Sequence, residues 1–200
     1  MKSLSVGVCA AVFLLATASV ARAQGVGSVH FGISGGADFP VEDQSNAYKT
    51  GWNGTILVPI NFGHSPVSIR FDGSYHRLDS KDNLALVSGS GHVEMLTGTF
   101  DIVVGPRGTS VEPYFIGGVG AYDMRFHGED LENNTFSDTN TRFGWNAGGG
   151  LAFPLGGGGS RFFVEARYTS VSTNGDRFSD SVHTGGTRFT FVPVNLGIIF

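Results

Sequence analysis

Apolar residues recur at every second position along most of this chain, and the 3.6-residue spacing of an amphipathic helix is nowhere sustained. A period of two places successive side chains on opposite faces of a strand, so each run is a two-faced ribbon and the chain reads as all-β. Val29, Phe31 and Ile33 share one face, against His30, Gly32 and Ser34. Trp52, Gly54, Ile56, Val58, Ile60 and Phe62 line up in a second run. Val67, Ile69, Phe71 and Tyr75 alternate with Ser68, Arg70, Asp72 and Ser74 in a third. A fourth sets Leu96, Gly98, Phe100, Ile102 and Val104 against Thr97, Thr99 and Asp101. Residues 111–126 are apolar on both faces, which leaves that strand's register open. Phe143, Trp145, Ala147, Leu151 and Phe153 oppose Gly144, Asn146, Gly148 and Gly150. Phe162, Val164, Ala166 and Tyr168 oppose Phe163, Glu165, Arg167 and Thr169, and Val194, Leu196, Ile198 and Phe200 close the series. The total is about eight strands, an even number that returns both ends to one side.

Connections between these runs alternate in length. Residues 63–66, 105–110 and 156–160 are short, whereas 40–51, 79–91, 127–140 and 172–186 are long and polar. Tight turns on one side and long loops on the other fit an up-and-down membrane barrel.

The first residues read as a processing signal. Lys2 precedes an apolar run from Val6 to Val20, and Ala21-Arg22-Ala23 supplies small residues for cleavage before Gln24. The expected division is a signal peptide over 1–23 and one β-barrel domain over 24–200. Cys9, the only cysteine, lies inside the leader and too early for lipid attachment at the cleavage point. Loss of Lys2 and Arg22 leaves 11 of the 13 basic residues against 17 acidic ones, a formal charge of −6 that argues against a nucleic-acid partner. Charged residues make up 15% of the chain, below the average of about 25%. Little of the surface is therefore built to meet water.

Alternation alone does not distinguish a barrel in lipid from a soluble one with its faces exchanged. The second face decides. In water it would be rich in Lys, Glu and Arg, yet here it is mostly Gly, Ser, Thr and Asn with a few charges of both signs. Those charges, Arg70, Asp72, Asp101, Glu165 and Arg167, suit a self-neutralising lumen. The assigned apolar stripe carries no charge, as expected where Lys or Arg at the bilayer midplane costs about 2–4 kcal/mol. The fold read from the residues is an antiparallel, up-and-down transmembrane β-barrel.

Several stretches carry a family likeness: Gly35-Gly36-Ala37-Asp38-Phe39-Pro40, Pro113-Tyr114 with Gly118 and Gly120, Phe143-Gly144-Trp145-Asn146-Ala147-Gly148, and Phe163-Val164-Glu165-Ala166-Arg167-Tyr168. Together with Leu196, Ile198 and a final Phe200 they resemble the small OmpA-like and OmpX-like barrels, over essentially all of residues 24–200. The resemblance implies the bacterial outer membrane, contact with its lipid and lipopolysaccharide, and an assembly machinery that reads Leu196, Ile198 and Phe200. It implies no particular activity. With no further domain after Phe200, the wall-anchoring role of two-domain relatives is not expected. Pro193 falls inside a strand that should be bonded on both sides, and a bulge is expected there.

Chemical motifs are sparse. Gly32-Ile33-Ser34-Gly35-Gly36 matches a hydrolase nucleophile pattern, but that chemistry needs a strand-to-helix turn and this stretch alternates as a strand. None of the six histidines has metal-ligand spacing, and His76 and His92 are expected at a polar rim. No cofactor is expected. Trp52, Tyr75, Trp145 and Tyr168 have the placement of interfacial anchors. The expected role is a non-enzymatic barrel that supports the envelope and offers its loops to an extracellular ligand. A lipid-modifying enzyme and a narrow solute channel are the alternatives.

Overall fold

The computed structural model describes residues 27–63, 65–81, 91–129, 135–156, 159–172 and 188–200, with the backbone alone over 126–129 and 135–140. The leader with its cleavage point, His64 and His183 lie outside the described residues. The described strands are β1 (Ser28–Val29), β2 (Gly32–Pro40), β3 (Gly51–Asn61), β4 (Val67–Asp79), β5 (His92–Val104), β6 (Glu112–Glu129), β7 (Thr135–Pro154), β8 (Arg161–Ser172) and β9 (Arg188–Ile199), with a one-turn helix α1 (Gln44–Ala47) between β2 and β3. From β2 onward each strand pairs antiparallel with the next, and β9 returns to β2 from Gly32↔Ile199 to Pro40↔Phe191. The result is a closed eight-stranded antiparallel barrel. Closure leaves the sheet no open edge, which is what allows strands to cross lipid.

β1 is the start of the β2 stave. Ser28↔Asn61 and Val29↔Ile60 continue the register that β2 keeps on β3. The break falls opposite Pro59: the His30 N–H donates to the Pro59 carbonyl at 2.9 Å, but proline has no N–H to return. Pro193 behaves alike, and the expected bulge is absent. β9 pairs with β2 straight through Asp38↔Pro193, while its pairing with β8 stops at Ala166↔Val194 and resumes at Thr169↔Phe191 in unchanged register. The missing donor opens a gap and no residue is inserted.

Residues 127–140 also differ from expectation, since β6 runs on to Glu129 and β7 begins at Thr135, paired to each other. A hairpin that extends beyond hydrocarbon needs no apolar stripe, so its polar sequence carries no strand signal.

The outward face is the apolar one. Val29, Phe31, Ile33, Trp52, Ile56, Phe71, Leu96, Phe100, Ile102, Phe143 and Leu196 are all exposed. A belt this continuous requires lipid. β6 finds its register here: Phe115 and Val119 face out, at 79% and 61% exposure, and Tyr114, Ile116, Tyr122 and Met124 face in. Its two-faced apolarity has a cause inside the barrel, where two apolar layers must be filled. Leu57, Ala152 and Phe163, with Tyr114 and Ile199, form one at the end with tight turns. Leu78, Val93, Met95, Tyr122, Met124, Val171, Phe189 and Phe191, with Tyr48 from the first loop, form the other at the end with long loops.

Candidate functional site

Between the two apolar layers lies a layer of charge. Inward parity on β4 supplies Arg70 and Asp72, on β5 Asp101, and on β8 Glu165 and Arg167, all at most 8% exposed. Arg70 grips Glu165 with both terminal nitrogens, Nη1 to Oε2 at 2.9 Å and Nη2 to Oε1 at 2.7 Å, and Nη2 also donates to Asp72 Oδ2 at 3.0 Å. Arg167 spreads its fork over three carboxylates: Nε to Glu165 Oε1 at 2.6 Å, Nη1 to Asp101 Oδ2 at 3.1 Å, and Nη2 to Asp72 Oδ2. The structure thus brings all five residues into one network. Charge pairs this well bonded are the form in which a dry interior tolerates ions.

Further residues of β5, β6 and β7 complete it. Tyr114 donates its hydroxyl to Glu165 Oε2 at 2.8 Å, Asn146 donates to Asp101 Oδ1 at 2.8 Å, and Thr99 donates to Asp101 Oδ2 at 2.7 Å. Inward glycines make the room. A Cβ on Gly118 would stand 2.2 Å from Asp101 Oδ1, and one on Gly150 would stand 2.5 Å from the Tyr114 ring.

Nearer the loops is a second polar cluster. The Asp38 carboxylate accepts from Asn53 Nδ2 at 2.8 Å and lies 2.9 Å from His76 Nδ1, and all three residues are buried. This corrects the expectation of a polar rim for His76. His76 has the inward parity of Arg70, Asp72 and Ser74, while His92 faces outward beside Glu94 at 3.6 Å. The signal is present in the alternation, because Asp38 likewise shares the parity of Gly32 and Ser34.

On the outer wall near the loop ends, Trp52 packs on Tyr75 and Trp145 on Tyr168, each with ring centroids 5.5 Å apart. Just beyond Tyr75 a mixed-charge belt begins: Arg77 lies 3.9 Å from Glu94, and Arg125 lies 3.3 Å from Asp123. At the opposite end a recess of about 70 Å³ is floored by Phe163 and Tyr114 and flanked by Arg107 and Arg161. Arg161 Nε donates to Glu112 at 2.9 Å, and burial together with the Arg161 guanidinium lowers the Arg107 pKa, with Glu112 opposing. On the seam, the Phe200 N–H donates to the Phe31 carbonyl at 2.7 Å, and His30 Nδ1 lies 2.9 Å from the Phe200 oxygen. Leu196 and Phe200 present their side chains outward, at 54% and 56% exposure, with Ile198 on the same face.

A family model described as the outer membrane protein beta-barrel domain matches residues 9–200. The chain belongs to this family. It is an outer-membrane β-barrel of bacteria, so its long connections face outward and its tight turns face the periplasm. The structure is similar to the crystal structure of Neisserial surface protein A, at a TM-score of 0.56 and 13% identity, over 88% of this chain and 98% of that one. A major outer membrane protein from Thermus thermophilus matches at a TM-score of 0.56 and 13% identity, over 86% and 98% of the two chains. Ail of Yersinia pestis, crystallised with the heparin analogue sucrose octasulfate, is 16% identical over 88% and 99%, at a TM-score of 0.46. A comparison with curated protein sequences finds no match.

Within this outer-membrane barrel, Ser34 of the hydrolase-like pattern sits mid-strand, paired with Thr55 and Gly197, and the strand runs on to Pro40 where that pattern needs a turn into a helix. Among the described residues no group of three or more His, Cys, Asp or Glu side chains is placed to hold a metal ion.

Proposed function

We propose that this outer-membrane barrel is a sealed, non-enzymatic wall element that supports the envelope and meets its partners through its outer loops. The observation that carries the reading is the filled lumen, in which a paired ionic layer lies between two apolar ones. Such an interior leaves the loops as the variable surface. Their charge supports the same division of labour. Residues 40–51, 79–91, 127–140 and 172–186 contain ten acidic residues against three basic ones, a balance of −7, while the chain from residue 24 onward carries −6 in all. The outer face therefore repels polyanions and attracts cationic partners, more strongly at low salt. Residues 1–23 are the leader removed on export, and Leu196, Ile198 and Phe200 form the face that the assembly machinery reads.

The test is complementation of a deletion strain with wild-type protein, with a barrel whose four long connections are shortened, and with wild-type loops on a charge-neutral lumen. Loop shortening should restore exclusion of detergents and large antibiotics while abolishing surface binding to cationic particles. Surface binding that survives loop shortening, or esterase or acyl-transfer activity in the purified wild type, contradicts the proposal.

A further inference from the structure

Between the ionic layer and Asp38, the lumen holds a cavity of about 30 Å³ bordered on one side by His76, large enough for one or two particles the size of water. Asp72, Asn146 and Asn195 border it, each at most 6% exposed, and on each the Oδ1 atom has no hydrogen-bond partner. The Asn146 amide cannot be turned over to cure this, because its Nδ2 donates to Asp101 Oδ1 and the reversed group would set oxygen against carboxylate. Asp72 gives Oδ2 to both arginines and keeps Oδ1 unspent. Hydroxyl groups of Thr55, Ser74 and Thr97 extend the wall, so its unsatisfied atoms are oxygens. Arg167 also borders the cavity, but its three nitrogens each donate to a carboxylate of the ionic layer.

Charge adds a second requirement. The layer holds three carboxylates and two guanidiniums, a formal charge of −1, in surroundings where an uncompensated ion is expensive. A water molecule would bond the oxygens and leave the charge. A proton on Asp72 would cancel the charge but needs a water beside it to meet the asparagine oxygens, and a sodium-dependent unfolding midpoint separates that state from a bound ion. A divalent ion would want more than one free carboxylate oxygen.

We propose that the cavity binds one sodium ion, held by oxygens of Asp72, Asn146 and Asn195 with help from the neighbouring hydroxyls. The ion meets both requirements at once, since it is a hard cation of single charge that takes oxygen ligands. It completes the ionic layer as a structural cofactor and is independent of what the loops bind.

A ligand that binds the folded barrel alone stabilises it by mass action, and that is measurable. The barrel of residues 24–200, refolded in zwitterionic detergent, is heated in sodium chloride and in N-methyl-D-glucamine chloride of equal ionic strength. The unfolding midpoint should be higher in sodium by about 5 °C and should saturate as sodium replaces the organic cation. The difference should vanish in Asn146→Ala and in Thr97→Val. Equal midpoints for the wild type in the two salts would overturn the proposal, whether or not either variant refolds. A sodium effect that persists undiminished in both variants would overturn it as well, by placing the ion elsewhere.

Discussion

Glu165 is the residue on which the lumen depends most, because it accepts from Arg70 through two nitrogens, from Arg167 Nε and from the Tyr114 hydroxyl. Replacing it by glutamine keeps the shape, removes the charge shared by two buried guanidiniums, and turns donors toward donors. Breaking a buried pair in this way costs about 3–5 kcal/mol. Glu165→Gln should therefore lower the unfolding midpoint in detergent markedly. Arg125→Gln, which removes an exposed arginine from the outer belt, should shift stability by no more than about 0.5 kcal/mol. Equal effects would mean that the layer is not a working network. The five charged members are legible in the sequence because parity alone assigns a side chain to the lumen. Asn146 is not singled out there, since parity says nothing of height along the axis, and height is what decides which inward residues touch; Tyr114 lies on the strand whose register the sequence leaves open. His76 departs from expectation for another reason: nearness to a strand end suggests exposure, whereas its inward ring pairs with Asp38 and packs against Phe191 of the outer apolar layer.

At the scale of single strands, alternation locates the staves and fails where the physics of the two faces coincides. β6 is apolar inside and out because it crosses both apolar layers of the lumen and the lipid. The far part of the β6–β7 hairpin, paired from Phe126↔Asp138 to Glu129↔Thr135, is polar in sequence and shows no hydrophobic period. Both prolines that break ladders, Pro59 and Pro193, do so without altering register, which the sequence does not suggest for Pro193. β9 closes the ring, and the residue that follows it joins the seam through the bond from the Phe200 N–H to Phe31 and presents an aromatic ring to lipid. Deleting Phe200 should reduce assembled barrel in cells several-fold while refolding in detergent falls only slightly. Heat-dependent gel mobility measures both. Equal losses would reduce Phe200 to a packing group and would contradict an assembly role for the face shared with Leu196 and Ile198.

Across the whole molecule, chemistry is sorted by position: apolar and aromatic residues outside, paired charge inside, and acidic polar loops at one end. Eight strands enclose an interior only wide enough for side chains to fill it, and here two apolar layers and an ionic layer occupy it in series. An ion crossing would have to break buried charge pairs and displace Phe163 and Phe191. Single-channel recording therefore tests the proposed sealed lumen. Wild-type barrel inserted into a planar bilayer, with insertion verified by protease protection, should give no steady current at moderate voltage. A stable, reproducible single-channel conductance from that protein would contradict a sealed lumen.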